Sequence, residues 1–182
     1  DRKGVCGTNS PVPCDDNGHG THTTSTAVGR EGLGVAPGAK WIACRNMDRG
    51  VGASSTYLGC LEFFLAPTDL NGKNPRPEKR PHVIGNSYGC PDVEGCAPHA
   101  FSVATKVLKA AGILMSVSAG NNGPICGSID TPPAFEPLVF TVGALSHRCQ
   151  RIASFSSRGP VFVRGMSGTV VKPDFVAPGD RI

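Results

Sequence analysis

The chain has 182 residues, of which 39% are hydrophobic and 18% charged, and a formal net charge of +4; a chain of this length is expected to form one domain that buries about 70% of its unfolded surface. No apolar run approaches the roughly 18 residues that a membrane-spanning helix needs, so no membrane partner is expected. The positive charge is spread along the chain, without a Lys/Arg block or interleaved aromatics, and this argues against a nucleic-acid partner.

Eight cysteines, at positions 6, 14, 44, 60, 90, 96, 126 and 149, are even in number and irregularly spaced, with no CxxC. That pattern fits disulfides in a secreted protein better than a zinc motif, and buried free thiols in a cytosolic protein are the other reading. Spacing leaves the pairing open, although Cys6 with Cys14 and Cys90 with Cys96 are near enough to close small loops. The first residue is Asp1, no leader sequence precedes it, and the chain reads as an interior piece.

In chain order, residues 19–28 predict a short helix of small residues ending near Gly29. "AKWIACRNM" (39–47) reads as a buried strand, and 54–66 as a helix capped by Ser54 or Ser55 and stopped by Pro67. Three prolines and alternating charge make 68–81 a loop, of which 71–81 reads as an expanded surface segment and solvated connector, with a basic exosite as the alternative. "HVIGNSYG" is a strand running into glycine, followed by a helix whose face carries Ala97, Phe101, Ala104, Leu108 and Ala111. "ILMSVSAG" and "LVFTVGA" are further apolar strands, and "ASFSSRGP" reads as a strand end and turn. Apolar strands alternating with helices predict an α/β fold built on a mainly parallel sheet flanked by helices. Ligands of such sheets bind outside the carboxyl ends of the strands, where Gly29, Asn86, Ser87, Gly120 and Asn121 are expected to fall.

Three stretches carry chemistry. In "CDDNGHGTHTTSTAVG" (14–29), His19 stands between Gly18 and Gly20 at the start of a helix, with its ring left open to a substrate. His19 and His22 are also readable as polar residues satisfied within a turn, or as a metal pair three apart, although no nearby Cys or carboxylate pattern has zinc-like spacing. In "SVSAGNNGP" (116–124), small residues end a strand and the Asn121 carboxamide is a donor for an oxygen that becomes negative; a turn through Asn122 and Gly123 is the plainer reading. "GNSYGC" (85–90) is either an edge for strand addition or an ordinary strand end. "GLGVAPG" is a poor dinucleotide fingerprint, because its glycines precede a strand.

Taken in order, "DDNGHGTHTTSTAVG", "GLGVAPGAKWIACRNM", "NSYGC", "SAGNNGP", "TVGA", "ASFSSRGP" and "KPDFVAPG" resemble successive blocks of the subtilisin-like serine peptidases, with wording closest to the bacillopeptidase F-like group. The resemblance runs from about residue 14 to the end. It implies a three-layer subtilisin-like α/β fold and a secreted, monomeric serine endopeptidase that needs no cofactor and cleaves peptides bound in extended conformation. It makes His19 the general base and Asn121 the side-chain donor of the oxyanion hole. Ser87, Tyr88 and Gly89 match the edge that pairs with the substrate backbone, and Ala119 with Gly120 match the opposite wall of the specificity pocket. Asp15 and Asp16 stand where they could meet basic substrate side chains, but read more simply as solvated loop carboxylates.

The resemblance also marks departures. The family's D-[ST]-G turn and G-T-S-M-A block are not found in these 182 residues. Ser167 in "RGMSGTV" is a decoy, followed by "TVVKPD" instead of a helical run, and Asp1 lacks the strand and turn glycine of a triad aspartate. The chain therefore reads as the central part of a peptidase domain, truncated at both ends, nearly inert alone and with apolar sheet surface exposed. A catalytically dead fold retained for protein binding is the alternative. "VGREGLGVAP" offers Glu31 as its one carboxylate, so the calcium loop of many family members is not expected and no metal residues are assigned.

Overall fold

The computed structural model describes Cys6, Ser10 and residues 12–148, 151–162 and 169–182; Asp1, Cys149 and Ser167 lie outside the described residues. The chain divides into two units, Asp1–Pro81 and His82–Ile182.

In the first unit, α1 (His19–Val28) follows Gly18, whose φ of 87° is left-handed, a conformation that costs glycine little. At its far end Gly29 N donates to Ser25 O, and Val35 N and Ala36 N donate to Thr26 O and Ala27 O, so the "GLGVAP" segment satisfies the last carbonyls of the helix. Gly29 thus ends the helix where the sequence placed its end. The expected strand over 39–47 is also corrected: only β1 (Met47–Asp48) is paired, with β2 (Val51–Gly52). Trp41 is 62% exposed. Among the described residues no neighbouring strand lies beside 39–46, and an apolar run without a ladder partner does not register as sheet. The two-residue connection Arg49-Gly50 has φ of 51° and 83°, the positive pair that a tight hairpin turn requires.

Helix α2 (Ser54–Leu65) buries Tyr57, Cys60 and Leu61. Its N-cap is Ala53, one residue before the expected serines, because the Thr56 hydroxyl accepts from Ala53 N and does the capping from inside the first turn. The helix stops before Pro67, as expected. The following loop is ordered by Asp69, whose carboxylate accepts from Asn71 N, Lys73 N and the Asn74 carboxamide.

The second unit is a parallel sheet of order β3-β4-β5-β6, comprising β3 (Val83–Asn86), β4 (Leu114–Ser118), β5 (Phe140–Leu145) and β6 (Phe175–Pro178). One face buries Ile84, Met115, Val117 and Thr141; α3 (Ser102–Ala110) packs on β4, and Leu108 and the N-cap residue Phe101 are fully buried. Each such large apolar side chain contributes about 1.5–3 kcal/mol when fully buried. The helix begins at Ser102, so Ala97 lies before it; Pro98 and the Cys90–Cys96 disulfide occupy the stretch where the periodicity had extended the helix. The other face carries Val83, Leu114, Phe140 and Phe175, all between 39% and 57% exposed, with the two phenylalanines stacked at 6.2 Å.

Among the described residues there are three disulfides, Cys6–Cys14, Cys44–Cys60 and Cys90–Cys96, which include both short pairs suggested by spacing. Cys126 is exposed and has no disulfide partner among the described residues.

Candidate functional site

In the first unit, Asp15 organises the turn that delivers His19. Its Oδ1 accepts from Asn17 N (3.0 Å) and Gly18 N (2.8 Å), and its Oδ2 from Thr21 N (2.8 Å) and Thr21 Oγ1 (2.7 Å). A carboxylate at a helix N-terminus is doubly favoured, by orphan N–H groups and by the helix dipole. The Thr21 hydroxyl, with the N–H groups of Gly18, Thr21 and Asn17, holds the Asp15 carboxyl well below the usual range.

Asp16 faces the hairpin. It is ion-paired with the Arg45 guanidinium, accepts from Arg49 N at 3.1 Å, and keeps a side chain only 4% exposed. Burial works against its charge, but the Arg49 N–H and the Arg45 cation outweigh it and lower its pKa. Asp15 is exposed, as expected of a solvated loop carboxylate, but caps the helix as well; Asp16 is corrected, because its side chain is buried in an ion pair. Composition alone misses these partners; the signal available is an Asp shortly ahead of a helix start.

His19 and His22 are exposed, and neither ring has a protein partner among the described residues, so the reading of both as satisfied turn residues is corrected. Among the described residues there is no cluster of three or more His, Cys, Asp or Glu suited to a metal ion.

In the second unit, residues 87–89 leave the carboxyl end of β3 and residues 119–121 leave that of the adjacent β4. Two neighbouring parallel strands thus deliver Ser87, Tyr88, Gly89, Ala119, Gly120 and Asn121 to one rim of the sheet, where α/β folds bind ligands. Ser87 is exposed, whereas Tyr88 and Gly89 are half-buried. Gly89 is required by a close approach, because a Cβ there would stand 2.6 Å from Thr131 Oγ1. Ala119 is buried and donates its N–H to Val142 O. Asn86 stands at the carboxyl end of β3, as expected, and its role there is structural: it is buried, and its carboxamide donates to Ser116 O at 3.2 Å.

The two asparagines differ. Asn122 Nδ2 donates to Asp130 Oδ1 at 3.2 Å, while the exposed Asn121 carboxamide has no protein partner among the described residues. The turn therefore leaves one amide free to donate outward. Sequence reasoning missed Ser157, whose buried hydroxyl accepts from Asn122 N at 2.9 Å.

A family model described as "Subtilase family" matches residues 5–181. Among curated relatives, Bacillopeptidase F of Bacillus subtilis (strain 168) is 37% identical over 181 residues, a stretch covering 93% of this chain and 12% of that protein. Serine protease AprX of the same organism is 32% identical over 185 residues, covering 93% of this chain and 39% of that protein. The chain thus spans well under half the length of these relatives. Of solved structures, Sphericase superposes with a TM-score of 0.68 at 27% identity, covering 93% of this chain and 55% of its own. A psychrophilic protease, S41, gives a TM-score of 0.66 at 28% identity, with the same coverage of the two chains. These likenesses show a three-layer α/β fold of the subtilisin-like class.

Proposed function

The chain belongs to the subtilase family, and from that premise we propose that it forms the central part of a secreted, monomeric serine endopeptidase domain that hydrolyses peptide bonds through an acyl-enzyme. In this reading His19 takes the proton of an attacking serine and returns it to the leaving amine. Asn121 donates to the oxyanion of the tetrahedral intermediate, where a preorganised donor acts on charge that develops only during reaction. Ser87, Tyr88 and Gly89 accept the backbone of an extended substrate as an added strand, with Ala119 and Gly120 forming the facing wall. The triad aspartate and serine are assigned to sequence outside these 182 residues.

The observation that carries the proposal is the free Asn121 carboxamide at the carboxyl end of β4, inside the block that resembles the family's oxyanion segment, while its neighbour Asn122 is tied to Asp130. Three disulfides support an oxidising, extracellular location.

The test is covalent labelling with a fluorophosphonate, which reacts only with an activated serine. The 182-residue chain should remain unlabelled, the full-length gene product should label, and His19→Ala should abolish that labelling. Labelling of the short chain would mean that the nucleophile has been misplaced. In-frame flanks without either D-[ST]-G upstream or G-T-S-[MA]-[AS] downstream would overturn the peptidase reading.

A further inference from the structure

Ser157 is 1% exposed, and it is bonded to both peptide groups that flank Asn121. Its N–H donates to Gly120 O at 3.0 Å, and its Oγ accepts from Asn122 N at 2.9 Å. Between these two bonds the chain must pass through Gly120 at φ +101°, and a Cβ at that residue would stand 2.9 Å from Ser157 Oγ. The serine hydroxyl thus occupies the space that a side chain at 120 would need, and the turn can close on it only because residue 120 is glycine. One residue earlier, Ser156 Oγ accepts from Ala144 N and serves the sheet instead. Adjacent serines therefore divide two tasks, and the one assigned to the asparagine turn is Ser157.

We propose that Ser157 is a positioning residue for Asn121, clamping its backbone from both sides so that the otherwise unpartnered carboxamide is aimed before substrate arrives. The inference rests on the peptidase reading for what Asn121 does, and on the geometry alone for what Ser157 does. A donor to a developing oxyanion must be held to within about 0.5 Å, and a misplacement of about 1 Å costs on the order of a hundredfold in rate. Asn121 has no side-chain partner among the described residues to fix it, so its aim depends on its backbone. Loss of the clamp should therefore act on kcat and leave KM nearly alone.

A double-mutant cycle in the full-length gene product tests this. Ser157→Ala should lower kcat by about tenfold with KM changed less than about twofold, and on an Asn121→Ala background it should cost less than about twofold. Equal losses on both backgrounds would make Ser157 a structural residue and overturn the proposal. Turnover that survives His19→Ala, or a kcat left unchanged by Asn121→Ala, would sink the peptidase reading instead. The clamp has its own readout in the 182-residue chain: exchange of the Asn122 amide hydrogen should accelerate at least roughly tenfold in Ser157→Ala, and an unchanged rate would remove the clamp. Should Ser157→Ala fail to fold, Ser157→Cys keeps a weaker acceptor in place and should give an intermediate exchange rate; exchange as slow as with serine would count against the hydroxyl's role.

Discussion

The carboxylate of Asp15 takes both the backbone N–H and the side-chain hydroxyl of Thr21, six residues on, at 2.8 and 2.7 Å. One residue thereby closes the turn across His19 and caps the helix on which that histidine sits. Asp15→Ala removes the cap, and because the site is solvent-exposed the cost should fall near the lower part of the usual range for lost caps, about 1 kcal/mol. Thermal unfolding should drop by about 2–4 °C. The pH dependence follows from direction. The Asp15 carboxyl titrates lower in the folded chain than in the unfolded one, so its contribution is present above the ordinary value of 3.8 and is lost as pH falls below it. Urea midpoints of the two proteins should therefore differ fully at pH 7 and converge as pH drops below about 4; a gap independent of pH would remove the carboxylate from the account.

Glu136 works in the opposite sense. It is buried, and burial raises its pKa from 4.5 although the Ser102 hydroxyl, donating at 2.8 Å, partly offsets the shift. A raised carboxyl favours the protonated folded state at low pH, and that advantage is lost as pH rises through the folded value. Glu136→Gln keeps an acceptor for Ser102 and never ionises. Wild type should match this variant near pH 4 and fall behind it as pH rises toward neutrality, as followed by urea unfolding at stepped pH.

Lys172 is almost fully buried, with Nζ donating to Val139 O at 2.7 Å and to Asp174 Oδ2 at 2.5 Å. Asp174 Oδ2 also accepts from Thr141 N, so the pair fastens the segment before β6 to the start of β5. Removing one partner of a buried pair costs about 3–5 kcal/mol; the partial exposure of Asp174 places Lys172→Met near the lower end. Adding Asp174→Asn removes the stranded charge while preserving an acceptor for Thr141 N, so the double variant should be more stable than Lys172→Met alone. Denaturant midpoints that rank the other way would show that the charge is not what matters.

The apolar runs of β3, β4 and β5 are legible in the sequence because a strand in a parallel sheet reads as a short continuous hydrophobic stretch. Strand β6 escapes the same reading because prolines at 173 and 178 bracket only four residues. The run over 39–47 misleads for the converse reason: hydrophobicity reports burial potential, whereas a ladder needs a neighbour, and the segment is instead tied to α2 by Cys44–Cys60. At the site, His19 and Asn121 are readable from local motifs. The capping role of Asp15 escapes because its partners are mostly backbone N–H groups, which leave no trace in side-chain composition. Ser157 is invisible because it acts 35 residues away from Asn122, a distance that only folding removes.

Asn121 and Asn122 are adjacent and chemically identical, yet their surroundings predict different defects on truncation. Asn122→Ala breaks the 3.2 Å bond to Asp130, an exposed contact worth about 0.5–1.5 kcal/mol. Its cost should appear as a lower denaturant midpoint, with kcat in the full-length gene product nearly intact. Asn121→Ala removes no intramolecular side-chain bond among the described residues, so the midpoint should not move, while kcat should fall by about 10²–10³, or about 2.7–4 kcal/mol of barrier, a magnitude known from subtilisin, a namesake of this family. KM should change little, because the donor acts on charge that appears only in the transition state. Paired unfolding curves and steady-state kinetics on the two alanine variants separate the roles. If Asn122→Ala takes the kinetic loss and Asn121→Ala the stability loss, the oxyanion donor has been assigned to the wrong amide, and the Ser157 clamp would then be holding the catalytic group directly.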